Sequence, residues 1–193
     1  MGSNPTRPTL FLKLEIKQLF GGFIRIKVVP LGNVPDSILD RVKNALNSAF
    51  KMFVEIQRPE RLPKYAYNPI RNQYRSDLLL DFLAKHFKGR VLGITNEDLY
   101  VEGLNFVFGQ AQLNGRVAIV SFARLDPTFF HQPEDQELLE KRVEKEVIHE
   151  IGHVLGLRHC ETKGCVMNFS NTVFDVDRKT KFFCKHCRAK LHL

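Results

Sequence analysis

A chain of 193 residues is long enough to bury one substantial core and too short to require a second domain. With 44% hydrophobic and 26% charged residues it is excluded from the disordered and low-complexity classes, and no run approaches the roughly 20 apolar residues of a membrane span. The net charge of +8 would suit a polyanion partner if it were clustered, but Arg71, Arg75, Lys85, Lys88, Arg90 and the stretch from Arg178 to Lys190 form no single block; this pattern describes a solvated basic surface and makes nucleic acid an unlikely partner.

In chain order, MGSNPTRPTLFLKLEIKQLF has Lys13, Glu15 and Lys17 inside its apolar stretch, which breaks the h-region a secretory leader would show, and a soluble, cytoplasmic protein is expected. The Met1-Gly2 and Thr6 pattern of myristoylation is too loose to use. IRIKVVPL at 24–31 reads as a buried strand. DSILDRVKNALNSAF follows as a helix, its apolar side carrying Ile38, Leu39, Val42, Leu46 and Phe50. A strand near MFVEI completes a βαβ start, so the first two strands should be parallel, with a right-handed crossover.

RPERLPKYAYNPIRNQYRS, with three prolines, reads as an ordered loop, DLLLDFLAKHF as a second helix and RVLGIT as a third strand. LNFVFGQAQ and RVAIVSFARL flank Asn114-Gly115 and form a predicted hairpin, the Asn-Gly pair supplying the positive φ angles of a tight turn. After Pro133 a long helix runs to Gly156 or just beyond, with acids in its first turns. The order of elements predicts an α/β (α+β) fold: a mixed twisted sheet with an antiparallel edge hairpin.

The chemistry concentrates in HEIGHVLGLRHCETKGCVMNFS, 149–170. Residues i and i+4 of a helix share a face, so His149 and His153 can offer two imidazole nitrogens to one zinc ion. Glu150 beside them occupies the general-base position of H-E-x-x-H hydrolases. Gly156 lets the chain turn with a left-handed φ and bring His159 back as third ligand, leaving a fourth position for water. Ordinary core histidines are the bland alternative, but the extended H-E-x-x-H-x-x-G-x-x-H fixes many more positions than the short motif does.

All four cysteines fall in the last 34 residues, whereas a disulfide-stapled protein spreads its bridges over the fold. Cys160, Cys165, Cys184 and Cys187 match the pairwise spacing of a closed four-thiolate zinc site. Two disulfides or a redox Cys-x-x-Cys are the weaker alternatives, and His186 is read as exposed and not a ligand. His159 and Cys160 are adjacent and point apart in an extended segment, so one ion cannot serve both sets and two are expected. The second would clamp the C-terminal segment against the catalytic loop.

HEIGHVLGLRH, followed after eight residues by Met167 in a Cys-x-Met context and then by a trailing Cys-x-x-Cys, resembles the archaemetzincin (archaelysin) family of metzincin peptidases. The resemblance implies a metzincin-like single domain over 1–193, with an N-terminal subdomain to about 156 and a short zinc-stapled C-terminal subdomain from about 157. It implies His149, His153 and His159 as ligands of a catalytic zinc, Glu150 as general base toward a zinc-bound water, Met167 as the methionine turn, and the four cysteines on a structural zinc. A peptide or protein substrate is then expected, and a monomer with no membrane partner. An extended substrate would add to the hairpin edge near LNFVFGQAQ. One departure stands out: several metzincins carry a tyrosine soon after the turn methionine, where this chain has Asn168-Phe169, which leaves Tyr74 or Arg75 as candidates for oxyanion assistance. The alternatives are a zinc-knuckle nucleic-acid module with a vestigial histidine site, and a zinc amidohydrolase acting on a small amide.

Overall fold

The computed structural model describes residues 24–191; the readings of the first 20 residues lie outside them. Among the described residues, eight strands and five α-helices follow in chain order: β1 Arg25–Leu31, α1 Asp36–Phe50, β2 Phe53–Ile56, β3 Tyr67–Asn68, β4 Gln73–Arg75, α2 Ser76–His86, β5 Arg90–Thr95, β6 Leu99–Tyr100, β7 Gly109–Ala111, β8 Val117–Ser121, α3 Gln136–Val154, α4 Val173–Arg178 and α5 Lys185–Leu191. Among these residues no helix is long and apolar enough to cross a membrane.

The main sheet has the order β2-β1-β5-β8-β7. Its first four strands are parallel neighbours, and β7 pairs antiparallel with β8 at the edge. Alternation along the strands splits the core in two. Ile26 and Val28 of β1, with Ala118 and Val120 of β8, pack against the apolar faces of α1 and α3. Val29, Leu31, Val117 and Ile119 face α2 through Leu79, Leu80 and Leu83. With helices on both faces, the central strands are buried along nearly their whole length, as parallel strands require.

Two expectations need correction. The proline-bounded stretch is more than a loop: it holds β3 and β4, which join β6 in a small three-stranded sheet of order β3-β4-β6. Strands of two or three residues are too short to show alternation. At the hairpin turn only Asn114 has a positive φ, 52°. Its backbone N–H donates to His153 O at 2.9 Å, so the hairpin tip is tied to the end of α3.

Beyond α3 the chain doubles back beneath the helix. Val166, Met167, Val173, Val176 and Cys187 from this segment enter the same core as α1 and α3. A ladder of charges fastens it to α3: Arg142 donates to Asp177 at 2.8 and 2.7 Å, Lys145 to Val176 O at 2.9 Å, and Lys181 to Glu144 at 2.9 Å.

Candidate metal centres and cleft

Asp135 caps α3 by accepting from the Leu138 N–H at 2.9 Å. The helix then runs 19 residues and ends at Val154, two residues short of Gly156, whose φ of 94° turns the chain. That turn places the Leu157 carbonyl, which accepts from His153 Nδ1 at 2.7 Å, while Val166 O accepts from His149 Nδ1 at 2.8 Å. The consequence is chemical. With Nδ1 donating, the Nε2 atoms of both neutral rings are bare acceptors, yet they face each other at 3.1 Å. Two lone pairs at that distance call for a cation. Burial pushes the pKa of all three histidines down, most for His149, with Lys179 adding to the effect, so the metal-ready neutral form prevails.

The His159 ring lies 5.3 and 4.8 Å, centroid to centroid, from those of His149 and His153, and it packs on Phe169. The three residues offer nitrogen atoms all within 4.8 Å of one another. Zinc bonds of about 2.0–2.1 Å separate tetrahedral nitrogen ligands by roughly 3.3 Å, so the donor set fits zinc. Met167 is buried beneath, where a Cβ on Gly152 would stand 2.5 Å from its Sδ; only glycine lets the turn come so close to the helix between the two histidines.

Glu150 is buried, its Oε2 finds no hydrogen-bond partner among the described residues, and its carboxyl pKa is raised well above the usual range, first by burial and then by Glu146. A Cβ on Gly109 of β7 would meet Glu150 Cγ at 2.7 Å, so the edge strand and the carboxyl share one narrow space. Glu150 lines the same cleft as the three histidines, and an orphaned buried oxygen there is what a site built around a further group would leave.

The four thiols form a separate group. Cys160 Sγ and Cys184 Sγ are 3.8 Å apart, as are Cys165 Sγ and Cys187 Sγ. A disulfide needs about 2.05 Å. Four sulfurs on tetrahedral bonds of about 2.3 Å stand roughly 3.8 Å apart, so the spacing fits one zinc ion. The backbone N–H of Cys187, first among several donors, pulls the Cys184 thiol down to about 6.

A cleft of about 760 Å³ runs between β7 and α3, with Glu146, His149, Glu150, His153 and His159 on its floor and Leu104, Phe106 and Phe108 in its upper wall. The small sheet braces that wall. Arg71 donates to Leu104 O at 3.2 Å and Asn105 O at 2.7 Å, Gln73 donates to Asn105 O at 3.0 Å, and Arg124 stacks on Phe106 at 4.4 Å. Tyr74 and Arg75 do not line the cleft: Tyr74 packs on the Tyr67 ring, and Arg75 is held by Asp77 and Glu102. His186 is exposed and belongs to neither donor group.

Sequence reading missed the pair Lys179 and Glu146, buried beside the site with Nζ 2.7 Å from Oε1 in an ion contact that falls short of hydrogen-bond geometry. Lys179 Nζ also lies 3.4 Å from Asn168 O, in the turn after Met167. The available signal was a lysine with no acidic neighbour at i±3 or i±4 except Asp175, whose carboxylate caps α4 instead.

A family model described as Peptidase family M54 matches residues 23–193. The archaemetzincin of Methanocaldococcus jannaschii is 48% identical over 168 residues, covering 87% of this chain and 93% of that protein. The crystal structure of archaemetzincin from Methanopyrus kandleri superposes with a TM-score of 0.78 at 42% identity, over 90% of this chain and 96% of that one. That of Archaeoglobus fulgidus, solved in complex with malonate, gives 0.76 at 40% identity, over 86% and 99%.

Proposed function

The chain belongs to peptidase family M54 and is a zinc metallopeptidase, and from that premise we propose which of its residues do the work. His149 and His153 through Nε2, with His159, hold the catalytic zinc; Cys160, Cys165, Cys184 and Cys187 hold a second, structural one. The observation that carries this reading is the pair of bare Nε2 atoms facing each other at 3.1 Å. When bound, zinc supplies Lewis acidity that activates a water and polarises a carbonyl. The chain's own groups do the rest. Glu150 takes the proton of the attacking water on its orphaned oxygen and returns it to the leaving amine, a role suited to a carboxyl whose pKa burial has raised. His149 and His153 are kept in one tautomer by Val166 O and Leu157 O. An extended peptide adds to the free edge of β7, which pairs on its other side with β8, so that its carbonyls pass over α3. Met167 supports the histidines from below.

Neither alternative gains support. A small-amide hydrolase needs an enclosed pocket, and this cleft follows a sheet edge; the nucleic-acid reading gives the orphaned Glu150 nothing to do. The test is digestion of a diverse peptide library, read by mass spectrometry, with zinc-loaded wild type beside Glu150→Gln. Cleavage by wild type alone is expected, with about two zinc ions per chain by metal analysis. Equal cutting by both would remove Glu150 from its role, and one ion per chain would break the two-site assignment.

A further inference from the structure

Among the described residues, three charged side chains line the cleft besides the histidines: Glu146, Glu150 and Arg158. Both acids are already committed, Glu146 to Lys179 at 2.7 Å and Glu150 to the reaction proposed above. Arg41, Arg75, Arg124 and Arg142 are each held by a carboxylate. Arg158 is exposed, and among the described residues its guanidinium has neither an ion pair nor a hydrogen bond. Among the described residues it is the one Lys or Arg that lines the cleft.

The backbone that carries it is fixed on both sides. Leu157 N–H donates to Gly152 O at 2.9 Å, and Leu157 O accepts from His153 Nδ1 at 2.7 Å. One residue further, His159 joins the histidine group, and Cys160 N–H donates to Met167 O at 2.9 Å. The guanidinium is therefore a free arm on a rigid mount between two metal-ligand candidates, and it reaches only those substrate groups that lie near the bond being cut. Pairing of a peptide with β7 uses backbone alone and reads no side-chain charge. A planar guanidinium left unpaired in a cleft whose other lining includes Leu104 and Phe106 prefers a carboxylate, which it grips through two parallel hydrogen bonds.

We infer that Arg158 is a specificity-determining residue, selecting substrates that carry a carboxylate within about two residues of the scissile bond, this distance following from a mount one residue, about 3.8 Å, from His159. The inference rests on the peptidase reading above. The carboxylate has two sources, an acidic side chain or a free C-terminus, and the recognising chemistry is the same for both.

The test uses zinc-loaded full-length chain and peptide sets that exchange Glu for Gln at successive positions, each made with a free or an amidated C-terminus. Wild type should favour the acid over its amide isostere by about 10- to 100-fold in kcat/KM at one position, the range for a hydrogen bond between charged groups. In Arg158→Gln that ratio should collapse toward unity, and Arg158→Glu should turn the preference toward lysine-bearing peptides. Dependence on the free terminus assigns the C-terminal carboxylate; dependence on internal Glu assigns the side chain. A wild type indifferent to the exchange, or an equal ratio in Arg158→Gln, overturns the inference and leaves Arg158 a solvated surface charge. If wild type cuts no peptide at all, the hydrolase reading has failed separately. The ratio of Glu- to Gln-peptide affinities, measured by fluorescence anisotropy on Glu150→Gln with and without Arg158→Gln, then decides the inference by itself.

Discussion

The histidine group and the cysteine group meet at one peptide bond, between His159 and Cys160, yet they are built in opposite ways. Two of the three histidines ride on one continuous helix at i and i+4, and their tautomers are set by two carbonyls. Folding of α3 against the core assembles most of that site with no ion present. The cysteines come from a turn and from the segment opening α5, 19 to 27 positions apart across the two halves of the set. No regular element holds all four, so on the proposed assignment the ion itself would close the chain there. On that assignment one site is a helix that an ion would visit, and the other a chain segment that an ion would complete.

The sharpest way to break this contrast is to remove function without touching either site's ligands. Glu150→Gln should lower kcat/KM by about 10²- to 10⁴-fold, the usual share of a general base, while metal analysis still finds both ions. Next comes ligand removal. Cys184→Ser should lose one zinc and cost more than about 4 kcal/mol in denaturant unfolding, the range reached when a structural metal is lost. His153→Ala should lose the other ion and shift the midpoint little. Equal stability losses in the two variants would sink the contrast.

Lys179 sharpens it from between the sites, because its Nζ lies 2.7 Å from Glu146 Oε1 on α3 and 3.4 Å from Asn168 O in the turn after Met167. Lys179→Met should cost about 3–5 kcal/mol, since it strands a buried carboxylate, and adding Glu146→Leu should restore most of it. Urea titration of the single and double variants gives the answer.

The smallest effect is a pH dependence. Burial raises the Glu150 carboxyl pKa, so above about pH 4.3, the value of an unfolded glutamate, the metal-free folded chain holds a proton that the unfolded chain has released. Stability of that form therefore falls as pH rises through the window up to the folded value. Glu150→Gln removes the slope, and at pH 7 the metal-free variant should melt above metal-free wild type by about 2–4 °C for each kcal/mol recovered. Calorimetry showing parallel pH profiles for the two would refute it.

Most of the candidate site's side-chain clustering was legible because its parts are local: i and i+4 spacing, a turn glycine and paired cysteines are written at fixed offsets. The main strands and helices were legible for a similar reason, since their apolar residues repeat with the period of each element. What stayed hidden depends on distant parts of the chain. The ion contact of Glu146 with Lys179 spans 33 positions, and Val166 O meets His149 across 17. The strands Tyr67–Asn68 and Gln73–Arg75 are too short to alternate, so their bracing of the cleft wall could not be read, and Tyr74 and Arg75 were drawn toward a site they do not reach.

The hydrogen bond from Asn114 N–H to His153 O joins two sites thermodynamically. The edge that would receive a peptide and the helix that would receive an ion share this anchor, so a ligand that displaces one loads the other. Such coupling is reciprocal by necessity: whatever factor the ion contributes to peptide affinity, a bound peptide must return to the affinity for the ion.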